Sequence, residues 1–225
     1  MKNANKRSRE IYPGIFKISL PFPGTQPGPI NVYLFPGEKV TLLDAGILST
    51  AGYLKRSLSE IGLNFSDIDQ IVISHGHVDH YGAAQKIVEH SKGRAKVAAH
   101  AEDVGVIETG DEVPKKISKK FLRMMGVPFQ FIYTMDMLRS GFRFLVDNCD
   151  VDIVLNDGDE IEMGNYLGTV ISTPGHSRGS ICLYLKDENI LFAGDHILEH
   201  IMPNALVMLE ADSILARRSS QIEYY

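Results

Sequence analysis

Ser74-His75-Gly76-His77-Val78-Asp79-His80 is the stretch that decides how this chain is read. Four side chains able to bind a metal fall within six residues, after the β-branched run Ile71-Val72-Ile73 and before Gly82 to His90, which has helix-like composition. Alternate side chains of an extended segment leave on the same side, so His75 and His77 can share one ion. A turn at Asp79-His80 then points two further ligands at a neighbouring position. Neutral imidazole and carboxylate suit zinc, iron or manganese, and no cysteine joins the set, which argues against a purely structural zinc site. A lone His-x-His is a weak signal; His-x-His-x-Asp-His after an apolar strand is a specific one.

Two later segments repeat the form of a strand followed by a ligand: Val170-Ile171-Ser172-Thr173-Pro174-Gly175-His176 and Ile190-Leu191-Phe192-Ala193-Gly194-Asp195. A carboxylate at Asp195 can bridge two cations through its two oxygens. His176 can complete a three-nitrogen set with His75 and His77.

Upstream of the motif, apolar runs at Gly14–Leu20, Ile30–Phe35 and Lys39–Asp44 are separated by Pro/Gly clusters and read as strands. Ser49 reads as the cap of a helix in which Tyr53, Leu54, Leu58 and Ile61 recur up to Gly62. Downstream, Ala95–Ala99 is a further strand. Ile153–Leu155, Leu167–Ile171, Ile181–Leu185 and Ile190–Ala193 form a second β-rich half, so two such halves with helices outside are expected. Between them, residues 103–150 lack strand alternation and are rich in Lys, Met and Phe, which reads as a helical insertion within one domain spanning 1–225.

Composition narrows the function classes. The net charge of −5 gives no global attraction to nucleic acid or an anionic membrane. Cys149 and Cys182 are too few for a disulfide framework and read as small buried residues. The basic start MKNANKRSRE is followed by Ile11-Tyr12-Pro13-Gly14 rather than a signal-peptide core, and no run is long and apolar enough to span a bilayer, so a cytoplasmic protein without membrane partners is expected.

His75-Gly-His77-Val-Asp79-His80, Thr173-Pro-Gly-His176 and Gly194-Asp195, preceded by Asn31-Val-Tyr-Leu and Leu43-Asp44-Ala-Gly, resemble the signature of the metallo-β-lactamase superfamily, in its glyoxalase II and lactonase-like style. The resemblance runs from about Tyr12 to Asp195, apart from the insertion. It implies an αββα sandwich of α+β class with two divalent metal ions, zinc first among them, at one edge. It further assigns His75, His77 and His176 to one ion, Asp79 and His80 to the other, Asp195 as the bridge, and a proton-handling role to Asp79. The chemistry implied is hydrolysis by a metal-bound hydroxide.

One element of that pattern is missing: a last histidine for the second ion, downstream of the bridging aspartate, since none follows His200. Arg217 to Tyr225 reads like a helix that has barely begun, so a chain lacking its natural C-terminal part is expected, with an altered second site as the alternative. His196 and His200 are candidates for orienting the ligands rather than binding metal. His100 reads as structural and His90 as a solvated helix-end residue.

The insertion joins a basic block, Lys115, Lys116, Lys119, Lys120 and Arg123, to an apolar one that includes Met124, Met125, Phe129, Phe131 and Tyr133. It can cap the metals and receive an acyl group, with the lysines on the phosphates of a carrier such as coenzyme A. Alternatively it packs onto the sandwich or forms a homodimer contact. The leading expectation is a hydrolase of a thioester, lactone or related ester of a small-molecule metabolite. A phosphodiesterase or nuclease is the second enzymatic reading, weakened by the acidic charge and the lack of aromatic residues among the lysines. An iron-dependent oxidoreductase and a non-catalytic scaffold remain as alternatives, and the absence of an export signal speaks against penicillin-type hydrolysis.

Overall fold

The computed structural model describes residues 8–22, 28–110, 123, 124, 126, 128–130 and 146–198. Seven strands form the first sheet in sequence order: β1 (Ser8–Tyr12), β2 (Ile15–Leu20), β3 (Ile30–Phe35), β4 (Thr41–Leu43), β5 (Gln70–Val72), β6 (Lys96–His100) and β7 (Ile153–Leu155). The turns before β2, β3 and β4 make antiparallel pairs, whereas β4 to β7 run parallel. Parallel neighbours need a crossover. Here α1 (Ala51–Glu60) joins β4 to β5, and α2 (Val78–Tyr81) with α3 (Ala84–His90) joins β5 to β6. The second sheet is an antiparallel meander of β8 (Glu160–Met163), β9 (Tyr166–Ser172), β10 (Ile181–Leu185) and β11 (Ile190–Phe192).

Strand periodicity divides the core in two. On β4, Leu42 packs into the layer beneath Leu54 and Leu58 of α1 and Ile87 of α3, and the next residue, Leu43, packs between the sheets. Ile71 and Val72 split the same way, as do Val97 and Ala98, which is why β4 to β6 read as unbroken apolar runs. Each such Leu or Ile contributes about 1.5–3 kcal/mol by burial. The inter-sheet layer adds Leu155, Ile161, Val170, Leu183 and Phe192. The α+β sandwich is therefore as expected. The helix read to begin at Arg217 lies outside the described residues, and no described helix is long and apolar enough to cross a membrane.

Two expectations are corrected. Ile153–Leu155 belongs to the first sheet, not the second half, because Ala98 pairs with Ile153 and His100 with Leu155. Ser49 does not cap α1; it lies in a 3-10 turn, Leu48–Thr50, and the helix starts after Thr50, whose hydroxyl donates to the Ile47 carbonyl at 2.8 Å. Of Gly82 to His90, read as helix-like, Ala84–His90 forms the helix, and the Ala83 amide, diverted to the Gly46 carbonyl at 2.9 Å, separates it from α2. Asp103 closes a 3-10 turn after β6, and its side chain enters the site described next. The helix α4 (Val104–Thr109) follows it, and most of residues 111–145 fall outside the described residues.

Candidate metal centre

Every candidate ligand stands just past the C-terminal end of a strand. His75 and His77 follow β5, with Asp79 and His80 on the α2 turn behind them; His176 follows β9 and Asp195 follows β11. The strands of both sheets that carry these residues end at one edge of the sandwich, where open α/β sheets leave a crevice for ligands. The Ile181 amide donates to the Ser74 carbonyl at 2.9 Å, which joins the two sheets beside the ligands.

His75, His77 and His176 each offer an atom within 4.8 Å of the others, and so do His75, His80 and Asp195. The His77 and His176 rings stand 4.5 Å apart and nearly perpendicular, and His75 Nε2 lies 3.0 Å from His77 Nδ1. Asp195 faces both groups: Oδ1 is 3.5 Å from His80 Nε2, and Oδ2 is 3.5 Å from His176 Nε2. Asp79 joins neither group but borders the second, with Oδ2 3.8 Å from His80 Nε2. His196 is half-buried and belongs to neither group, and His200 lies outside the described residues.

The electrostatics differ across the cluster. Burial, reinforced by His80, His77 and His176, holds the His75 imidazolium well below the usual histidine range. Burial and His176 push His77 down to about 4, with Asp79 pulling the other way. Burial favours neutral His80 too, but Asp44 and Asp195 outweigh it and hold its pKa well above the usual range. Burial would raise the Asp195 carboxyl, yet its hydrogen bond with His80 and the surrounding imidazoles keep it below the usual range. Neutral imidazoles converging with a carboxylate are the donor set a divalent zinc, iron or manganese ion takes, so these residues fit the metal implied by their spacing.

Two buried carboxylates that sequence reasoning passed over organise the ligands. Asp44, 3 % exposed and left-handed at φ 66°, accepts from the Ser74 amide at 2.8 Å and the Ser74 hydroxyl at 2.9 Å, and its Oδ2 lies 2.8 Å from His80 Nδ1. That contact leaves His80 Nε2 toward the metal position. Asp103, 1 % exposed, accepts from the Gly76 amide at 2.7 Å, the Ser177 hydroxyl at 2.7 Å and the Gly179 amide at 2.9 Å. It thus clamps the His75–His77 loop to the His176 loop. A Cβ on Gly179 would stand 2.6 Å from the Asp103 carboxyl carbon, so a side chain there would displace the clamp.

His100 is structural as read: Nε2 lies 2.9 Å from the Ser172 hydroxyl and Nδ1 accepts from the Glu102 amide at 3.2 Å. His90 caps its own helix against the Lys86 carbonyl at 2.8 Å. Met124 and Phe129 are largely exposed, whereas Met125, Phe131, Tyr133, Lys115, Lys116, Lys119 and Lys120 lie outside the described residues. Cys149 and Cys182 are free and buried. A cleft of ≈ 330 Å³ opens beside His80, Asp79 and Asp195, walled by Lys17, Asn31 and Tyr33 of β2 and β3 and by Phe192 of β11. Tyr33 packs edge-on to Phe192 at 4.9 Å, and burial, then the Asp44 charge, raises its phenol pKa.

Strand-end histidines and aspartates gathered on a two-sheet sandwich define a candidate metal-binding fold, and residues 25–221 match the Metallo-beta-lactamase superfamily, to which the chain belongs. Among curated relatives it is 26% identical over 186 residues to a probable metallo-hydrolase, YqjP, of Bacillus subtilis, covering 80% of this chain and 56% of that protein. It is 31% identical over 131 residues to the human acyl-coenzyme A thioesterase MBLAC2, covering 57% of this chain and 41% of that protein. The chain thus spans about half the length of these relatives. Among solved structures, a metallo-beta-lactamase family protein of Thermus thermophilus, TTHA1429, superposes with a TM-score of 0.74 at 28% identity, over 87% of this chain and 64% of that one. The subclass B3 metallo-beta-lactamase BJP-1 of Bradyrhizobium japonicum shares the fold, with a TM-score of 0.58 at 21% identity over 82% of this chain and 59% of that one.

Proposed function

We propose that this chain is a metal-dependent hydrolase of a thioester, lactone or related ester of a small-molecule metabolite, with an acyl-coenzyme A-like thioester as the first candidate. The observation that carries the reading is Asp195, whose two oxygens each lie 3.5 Å from an imidazole nitrogen of a different ligand group. His75, His77 and His176 would hold one divalent ion, zinc first, and His80 with Asp79 the other, Asp195 serving both. Bound there, such ions supply Lewis acidity and an activated water. The chain's own residues do the rest. His75 and His77 stay neutral and so remain donors, Asp44 orients His80, and Asp79, on the cleft wall, takes and returns a proton at its carboxylate oxygen. The apolar side of the cleft, Leu191 and Phe192, receives the acyl chain. The acyl-coenzyme A thioesterase among the relatives supports the ester class.

The test is metal analysis of the protein purified without chelator, followed by a panel of thioesters, lactones and esters. Two ions per chain and hydrolysis abolished by H75A or H176A are expected. A metal-loaded protein that cleaves no member of the panel would overturn the reading, and a protein that takes up no metal would support the scaffold alternative instead.

A further inference from the structure

The cleft holds a cation that neither metal binding nor hydrolysis requires. Lys17 is half-buried on β2, on the face turned toward the second sheet, and makes no ion pair or hydrogen bond among the described residues. Its Cα pairs with Tyr33, and that of Tyr33 with Leu43, so about 10 Å, two strand spacings, separates Lys17 from the strand end that leads to Asp44. Asn31 lines the same wall; its Oδ1 accepts from the Ser19 hydroxyl at 3.1 Å, which leaves the Nδ2 amide as the group it offers to the cleft. The other charged groups on the cleft wall, Asp44, Asp79, His80 and Asp195, sit at the metal end, with the Tyr33 phenol, kept neutral by its raised pKa, between them and Lys17. The charge at the far end is therefore the single Lys17 ammonium, beside the Asn31 amide.

We infer that Lys17 and the Asn31 amide form a carboxylate subsite, so that the substrate carries one negative charge on a short chain leading from the scissile carbonyl. A partly buried ammonium costs desolvation until a counter-charge meets it, and a charge-assisted hydrogen bond to a carboxylate recovers that cost. A carboxylate fits better than a phosphate, because one ammonium offsets one charge and three carboxylates already line the cleft. The inference rests on the hydrolase reading for the reaction, though not for the binding itself.

The experiment uses the zinc-loaded full chain and a matched pair of thioesters, glutaryl and pentanoyl, of the same simple thiol. The wild type is expected to favour the glutaryl substrate about tenfold through KM. The isosteric K17M should lose that preference with kcat within about twofold and pentanoyl turnover unchanged, while K17R restores it. An equal effect of K17M on both thioesters overturns the subsite, and preference for a phosphonate-ended analogue over glutaryl overturns the carboxylate assignment. Calorimetry of glutarate against pentanoate separates binding from reaction. Equal affinities in the wild type overturn the subsite whatever the turnover. A glutarate preference that K17M abolishes supports it, even where neither thioester is cleaved and the proposed reaction falls.

Discussion

The two proposed metal positions share Asp195 but are built differently. The first draws His75 and His77 from the loop after β5 and His176 from the loop after β9, and Asp103 bonds to both loops at once. The second takes Asp79 and His80 from one short helix, and Asp44, which holds His80, comes from the neighbouring strand of the same sheet. Only Asp195 reaches it from the second sheet. The first position therefore reports how the sheets are registered, whereas the second is a property of the first sheet's own edge.

Breaking the clamp gives the largest expected effect. D103A leaves the Gly76 and Gly179 amides and the Ser177 hydroxyl without their acceptor, and should cost about 3 kcal/mol or more in urea unfolding, with loss of the first ion in metal analysis. Retention of that ion at wild-type affinity would show that the position does not depend on the inter-sheet tie. The next effect is a pH dependence of the metal-free protein. His77 titrates near 6.5 unfolded but near 4 folded, so its contribution is complete above 6.5 and is lost as pH falls toward 4, about 3 kcal/mol in all. Thermal midpoints in chelator should fall across that window, and H77Q should flatten the fall.

Metal uptake should separate the two positions further. His75 and His77 are neutral at pH 6 to 8, so the first ion should bind with little pH dependence, whereas an ion at the second position must displace a proton from His80. Calorimetry in two buffers of different ionisation enthalpy should show about one proton released for the second ion and little for the first. D44N, which removes the charge that holds His80 protonated and oriented, should weaken the second ion about 10–100-fold and spare the first. The smallest effect is expected for G179A, whose Cβ crowds Asp103 and should cost about 1–2 kcal/mol in unfolding while shifting only the first ion's affinity.

Much of the site was legible because its ligands follow strands whose apolar runs are visible in the chain. Ile71-Val72-Ile73 before His75, Val170-Ile171 before His176 and Ile190-Leu191-Phe192 before Asp195 share one form. The same form precedes Asp44 after Leu42-Leu43 and Asp103 after Val97-Ala98-Ala99, yet both went unread as functional because an aspartate beside a turn is so often a local backbone acceptor. Their roles depend on partners far off in sequence, Ser177 for Asp103 and His80 for Asp44, which no local pattern carries. Lys17 was invisible for a related reason: only pairing of β2 with β3 and β3 with β4 brings it to the metal edge. The sheet membership of Ile153–Leu155 was misread because nearness in sequence to β8 says nothing about parallel pairing with β6.

That pairing also bears on how the chain can change. Since β6 and β7 are parallel neighbours, residues 101–152 leave the C-terminal end of β6 at His100 and return at the start of β7, where Ile153 lies beside Ala98. Between Ile107 and Cys149, which are anchored in the core, its length can vary with little penalty, because closing a longer loop adds only a slowly growing entropy cost. The segment is an exchangeable part. Relatives could carry different versions of it, or a bare crossover, over an identical ligand edge, and trade substrates without rebuilding the centre.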